Sequence, residues 1–334
     1  MKKNPFPANA YKAIEQILTS EYSDARCIFI MERSLHALYD FPCNDHPVLL
    51  VPGGECVKNI YWLKKLLALF TNFHVDRSIV VIVIGGGALC DAAGFAASIY
   101  MRGIDTVLVP TTLLAQVDAA YGGKTGINFG GIKNLIGTFH NPQQIIADPA
   151  FLMTLSKTEY YSGLGEVIKY AVGFDANLFS QLQNSYEHIL NRNLVVVDAT
   201  IKTCVAIKTS IVQTDPYEHN ERRLLNLGHT FGHAFEQTLH IPHGHAVVLG
   251  ILASAKVSYK LGLLAIDTYN RITNLIKLFG FSTKIPHYSS RIMKLISHDK
   301  KHHNTAITFI ALEDIGRSCS ITLEIKRLKE LLYE

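Results

Sequence analysis

The chain predicts a two-domain protein, with a parallel α/β domain over residues 1–150 followed by a mainly α-helical domain over 151–334. Three observations carry that reading. A length of 334 residues suits two domains at roughly 100 to 200 residues each. In the first half, short β-branched runs alternate with helical patterns, as they do in a parallel sheet with crossover helices. From residue 151 onward helical periodicity takes over, with hardly any strand-like alternation between segments.

Taken in order, the apolar runs Cys27–Met31, Val48–Val51, Ile79–Ile84 and Thr106–Pro110 read as strands of that parallel sheet, Ile79–Ile84 as a buried one. Between the second and third, Ile60, Leu63, Leu66, Leu67 and Phe70 recur at three and four, the stripe of a helix laid on a sheet. In the second half, 159–172, 177–190, 194–213, 229–238, 246–262 and 268–279 read as helices. The run 305–311 reads as a strand or hairpin with no assigned place.

Composition narrows the function. Hydrophobic residues make up 48% and charged residues 18%, which excludes a disordered chain. The net charge is +4 with no basic block, so nothing points to nucleic acid. No apolar run nears the about 18 residues of a membrane span, and Met1–Pro5 lead into no apolar stretch. Six cysteines (Cys27, Cys43, Cys56, Cys90, Cys204, Cys319) lie far apart without a CxxC pair and read as reduced. The expectation is a cytoplasmic protein with neither a membrane nor a nucleic-acid partner.

The first candidate site follows the run Ile79–Ile84, where GGGALCD at 85–91 opens a helix. Glycines at Gly86 and Gly87 let backbone N–H groups approach a phosphate there, although a tight turn without a ligand fits as well. Thr111 and Thr112 emerge from the next strand at the same carboxyl edge, where open α/β sheets bind ligands. Glu55 and Lys58 follow an earlier strand and offer a carboxylate for a ribose, or simply a solvated loop. The segment 116–134 sets Asp118, Lys124, Lys133 and Asn134 among five glycines, which suits phosphorylated groups or a mobile surface loop.

In the second half, Glu166 and Lys169 share a helix face at i, i+3, by itself the pattern of an ordinary surface ion pair. His229 and His233 stand at i, i+4, where both can ligate one metal, one can ligate while the other handles protons, or the pair is structural, and His243 follows from a separate segment as a further ligand. One carboxylate and two imidazoles make a zinc set with an open position. Val197, Ile201, Val205, Lys208 and Val212 recur along one face, so Lys208 projects from apolar surroundings and needs an anion. Arg222 and Asn226 precede His229, Arg222 adding a planar cation. The basic stretch 298–303 is a solvated loop or a phosphate contact.

Together, Gly85–Asp91, Tyr100–Gly103, Pro110–Asp118, Gly122–Thr125, Lys133–Gly137, Gly165–Tyr170 and Asn226–Ala234 resemble the 3-dehydroquinate synthase family, in order and separation, over about residues 50–310. The resemblance implies a Rossmann-like NAD-binding α/β domain and a helical metal-binding domain, with zinc or cobalt between them, in a homodimer. It implies Glu166, His229 and His243 as metal ligands. Around NAD it implies Glu55, Lys58, Gly86, Gly87, Asp91, Thr111, Thr112, Lys124, Lys133 and Thr154.

The implied reaction converts 3-deoxy-D-arabino-heptulosonate 7-phosphate, a phosphorylated sugar acid, to 3-dehydroquinate and phosphate in the shikimate pathway. It runs by transient oxidation with NAD, phosphate elimination, re-reduction and aldol closure. By the same resemblance Lys124, Asn134, Asn226 and a lysine of the 300–301 pair hold the phosphate, with Arg102 reaching in from a partner subunit. Lys208 and Arg222 grip the carboxylate, and His233 handles protons. Asp118, Lys133 and Lys169 orient hydroxyls and cofactor. Two departures stand out: His245 occupies a position where the family commonly has Glu, and Cys56 with Val57 replace longer residues in the cofactor turn. Competing readings are a cyclase of sedoheptulose 7-phosphate or glucose 6-phosphate, a metal-dependent polyol dehydrogenase, and a non-catalytic descendant.

Overall fold

β-Branched runs in the first half pair side by side because their crossover helices return the chain in one direction. The computed structural model describes residues 3–21, 27–41, 46–298 and 306–333. It divides into two compact units, Met1–Leu155 and Ser156–Glu334.

In the first unit the elements run β1 (Asn4–Pro5), α1 (Ala8–Gln16), β2 (Cys27–Glu32), α2 (Arg33–Leu38), β3 (Tyr39–Asp40), β4 (Val48–Val51), α3 (Ile60–Asn72), β5 (Val80–Gly85), α4 (Gly87–Ile99) and β6 (Thr106–Pro110), then β7 (Lys124–Phe129), β8 (Ile132–Phe139) and β9 (Gln144–Ile145). The main sheet has the order β4-β2-β5-β6-β9 and every pairing in it is parallel. Alternate residues serve opposite faces. Ile28, Ile30, Val81 and Val83 join the core under α3 and α4. Phe29, Met31, Ile82 and Ile84 join a second core with Ala10 and Ile14 of α1. Both faces are thus covered, which is why these strands carry no polar alternation.

The glycine-rich stretch read as flexible is in part an ordered hairpin, β7 against β8. Its two-residue turn, Gly130 (φ 59°) and Gly131 (φ 79°), supplies the positive φ at both positions that a tight hairpin needs.

The second unit holds α5 (Lys157–Gly173), α6 (Ala176–Leu190), α7 (Leu194–Thr214), α8 (His229–Leu239), α9 (His243–Lys260), α10 (Ile266–Leu278), α11 (Ser290–His298), β10 (Ala306–Asp314), β11 (Arg317–Glu324) and α12 (Ile325–Tyr333). Side chains of Ser156, Asp175 and Asn193 accept backbone N–H bonds at the starts of α5, α6 and α7, satisfying donors that the helix leaves free. Both α5 and α9 are buried along most of their length. The described part of the run, 306–311, finds its place here, since β10 pairs antiparallel with β11 and packs Phe309 against Phe231 of α8. Among the described residues no helix is long and apolar enough to cross a membrane, and the five described cysteines are free, Cys56 being exposed.

Candidate functional site

The first unit's site residues gather at the carboxyl edge of its sheet. β5 ends at Gly85, and Gly86 stands at the N-cap of α4. Side chains would be crowded in this turn: a Cβ on Gly86 would come 3.1 Å from Thr112, a tight contact, and one on Gly87 2.8 Å from Ala119, closer than the packing allows without a shift. The thirteen-residue helix α4 therefore presents its N-terminus bare, a suitable seat for a pyrophosphate. Thr111 bonds back to Gly85 O through its N–H, and Thr112 Oγ1 accepts from Ala115 N–H.

Lys58 is buried and pairs with Asp91 of α4 at 2.6 Å. Glu55 accepts from Asn128 Nδ2 at 3.0 Å, and Asn128 Oδ1 accepts from the N–H of Asn134 at 2.9 Å. The turn after β4 is thereby tied to the hairpin that carries Lys124, Lys133 and Asn134, all three exposed. Thr154 shares a 2.6 Å hydroxyl contact with Tyr39. Asp118 is half-buried in the turn after β6, and Arg102 is exposed with φ 66°. These residues suit NAD: glycines free of side chains at a helix N-terminus, with a carboxylate and hydroxyls alongside.

In the second unit the pattern read as an ordinary i, i+3 ion pair is buried outright. Glu166 is fully buried, with Lys169 Nζ 2.5 Å from its Oε2. Its other oxygen, Oε1, faces His243 Nε2 at 2.9 Å and His229 Nε2 at 3.6 Å. The donor atoms of the three residues lie within 4.8 Å of one another. Each imidazole is held by its far nitrogen, His229 Nδ1 against Leu227 O at 3.2 Å and His243 Nδ1 against Glu236 Oε2 at 3.3 Å. Both Nε2 atoms are thus turned toward Glu166, the arrangement of ligating histidines around a divalent ion. The residues fit zinc or cobalt.

Electrostatics separates the two histidines. Burial drives the His229 pKa down to about 3, overriding Glu166. Burial would also lower His243, but its bonds to Glu166 and Glu236 outweigh that and raise it to about 10. His229 is therefore neutral at ordinary pH, whereas a metal ion at His243 would have to displace a proton.

His229, His233 and Asn226 open on a cavity of about 430 Å³, also lined by Glu218, Arg223, Thr230, Thr308 and Ile310. The rings of His229 and His233 meet edge to face at 5.2 Å. Asn226 Nδ2 donates to Glu218 at 2.8 Å. Lys208 and Arg222 are buried, and an Arg222 guanidinium N–H donates to Pro216 O. The buried face of α7 runs Val197, Ile201, Cys204 and Lys208, so Lys208 is where the periodicity predicts. His245 stays outside the donor cluster: its ring stacks on Tyr161 at 6.0 Å and meets Phe281 at 5.0 Å. Lys300 and Lys301 lie outside the described residues.

Four residues escaped the sequence reading. Glu32, at the end of β2, accepts from Gly86 N–H at 2.8 Å; a carboxylate closing an apolar strand was its signal. Glu236 stands seven residues after His229 and three after His233, on the same face of α8. Glu218 and Arg223 gave no signal, because one lies in a turn and the other in the short 3-10 helix Glu221–Asn226, neither long enough to show a repeat.

Two family models match the chain, the 3-dehydroquinate synthase N-terminal model over residues 48–162 and the C-terminal model over 163–302. A 3-dehydroquinate synthase of Dictyoglomus turgidum is 37% identical over 324 residues, covering 95% of this chain and 91% of its own. Another, from Geotalea uraniireducens, is 40% identical over 270 residues, covering 80% and 75%. Among solved structures, a 2-epi-5-epi-valiolone synthase from Streptomyces hygroscopicus with NAD+ and Zn2+ bound matches with a TM-score of 0.85. It is 24% identical and covers 99% of this chain and 96% of that one, a likeness of fold. With both family models together spanning most of the chain, and relatives this similar over most of their length, the chain belongs to the 3-dehydroquinate synthase family.

Proposed function

We propose that this chain catalyses the family's lyase reaction, converting 3-deoxy-D-arabino-heptulosonate 7-phosphate to 3-dehydroquinate and inorganic phosphate. The observation that carries the reading is the cluster of Glu166, His229 and His243, of which His229 lines a cavity with Asn226 and His233, in a chain whose relatives at 37% and 40% identity bear that name. A cytoplasmic homodimer is part of the proposal.

Glu166, His229 and His243 would hold zinc or cobalt. Gly86, Gly87, Asp91, Glu55, Lys58, Thr111, Thr112, Lys124, Lys133 and Thr154 would hold NAD. When bound, the metal acidifies a coordinated hydroxyl and NAD takes up and returns a hydride. The chain's own residues do the rest. Lys169 holds Glu166 in place as an ionised donor, and with Asp118 and Lys133 it orients hydroxyls and cofactor. Lys208 and Arg222, both desolvated, supply the positive charge that a substrate carboxylate neutralises. Lys124, Asn134, Asn226 and one of Lys300 and Lys301 bind the phosphate together with Arg102 of the partner subunit, drawing it off as the leaving group. His233 carries the proton at a ring nitrogen.

The test follows phosphate release and NADH absorbance in parallel, with the sugar acid phosphate, NAD and Zn2+. Phosphate release without lasting NADH is expected. Accumulating NADH would make the protein a dehydrogenase. Silence here with activity on sedoheptulose 7-phosphate would replace the carboxylate assignment of Lys208 and Arg222.

A further inference from the structure

His243 touches two carboxylates. Nε2 faces Glu166 Oε1 at 2.9 Å, and Nδ1 lies 3.3 Å from Glu236 Oε2. Glu236 reaches it from α8, the helix that also carries His229, and its side chain is 19% exposed. His229 needs no such side chain, since Leu227 O accepts from its Nδ1–H at 3.2 Å. His243 begins its helix directly after Pro242, and the acceptor paired with its Nδ1 is the carboxylate of Glu236.

We infer that Glu236 is a positioning residue of the metal centre: by accepting the Nδ1–H of His243 it fixes the ring's rotation and tautomer, so that the Nε2 lone pair faces the ion. This rests on the metal-site reading above and adds a fourth residue to it. A carboxylate behind a ligating imidazole also raises the basicity of the ligand. Without Glu236 the ring could turn or carry its proton on Nε2, and the ligand would have to be reset at each binding event.

The test uses the full chain, stripped of metal with a chelator and titrated with Zn2+ against a chromophoric competitor, then with Co2+ followed in its visible ligand-field bands. Glu236→Ala should weaken Zn2+ binding about 10- to 100-fold and shift the Co2+ bands. Glu236→Gln, whose amide oxygen still accepts from Nδ1–H, should recover much of the loss. Because Glu236 is partly solvated, its truncation opens no core cavity, and far-ultraviolet circular dichroism should match the wild type. An alanine variant with Zn2+ affinity within about twofold of the wild type and unaltered Co2+ bands would overturn the inference. So would equal losses in Ala and Gln. If instead the wild type binds Zn2+ no better than His243→Ala, the metal site itself is misassigned and this inference goes with it.

Discussion

Gly165 of α5 and Gly244 of α9 pack backbone to backbone: a Cβ on Gly165 would stand 2.5 Å from the Cα of Gly244, and one on Gly244 2.4 Å from the carbonyl oxygen of Ser162. Each glycine neighbours a member of the candidate metal cluster, Glu166 and His243. Close crossing of the two helices is thus what brings a carboxylate and an imidazole from separate elements within 2.9 Å. Neither obstacle is a flexible side chain, so a methyl group must push the helices apart. Gly165→Ala or Gly244→Ala should cost about 1–3 kcal/mol of stability or more and lower zinc affinity, read by thermal melting and metal titration. A variant with the wild-type Tm and zinc content would refute this account.

Metal removal should silence the enzyme. Chelation is expected to abolish phosphate release, with activity restored by Zn2+ or Co2+ and not by Mg2+, which prefers an all-oxygen octahedron. Undiminished turnover in a chain shown to be metal-free by elemental analysis would count against Glu166, His229 and His243 as ligands.

The two histidines that face Glu166 set a pH profile for the metal-free protein. His229 is lowered from 6.5 to about 3, so between those values the unfolded chain binds more protons and stability rises with pH. His243 is raised from 6.5 to about 10. Its contribution is complete below 6.5 and fades as pH climbs toward 10. From these groups alone, stability should peak near pH 6.5, as measured by denaturant melts of chelator-treated protein. Zinc should release a proton on binding near neutral pH, detectable as a buffer-dependent heat in calorimetry.

His245 is a packing residue by its contacts. Its ring lies against Tyr161 and Phe281, and burial holds its pKa below the ordinary value, keeping it neutral among apolar neighbours. Each such ring pair is worth about 0.5–1.5 kcal/mol. His245→Ala should lower Tm while leaving one zinc per chain; loss of zinc would make it a ligand after all.

Lys58 joins the turn after β4 to α4 through Asp91. Truncating it leaves a carboxylate that is only 22% exposed without that cation, at a cost of about 1–3 kcal/mol. Lys58→Ala should therefore weaken NAD binding by about tenfold or more and lower Tm. Calorimetric titration with NAD checks it.

Much of the protein was readable along the chain. Four strands of the main sheet announced themselves as short β-branched apolar runs, and the helices of the second half by their period, because a side chain's face on a helix is set locally by 3.6 residues per turn. The same rule aligned His229 with His233 and put Lys208 on the buried face of α7. Local pattern could not tell that the pair Glu166 and Lys169 is buried, since i, i+3 spacing is the same on a wet face and a dry one. Nor could it turn the glycine-rich stretch into a hairpin, which takes a partner strand and a turn at once.

Local chemistry along the chain sets which elements form, which residue types each presents, and the family to which the motifs point. Packing alone shows that Glu166 and His243, 77 residues apart, meet over a glycine contact, that Glu236 stands behind that imidazole, and that His245 turns away to two aromatic rings. The reason is physical: periodicity is a property of one element, whereas the meeting of two depends on how closely their backbones pack, and here that distance is set by two hydrogens in place of side chains.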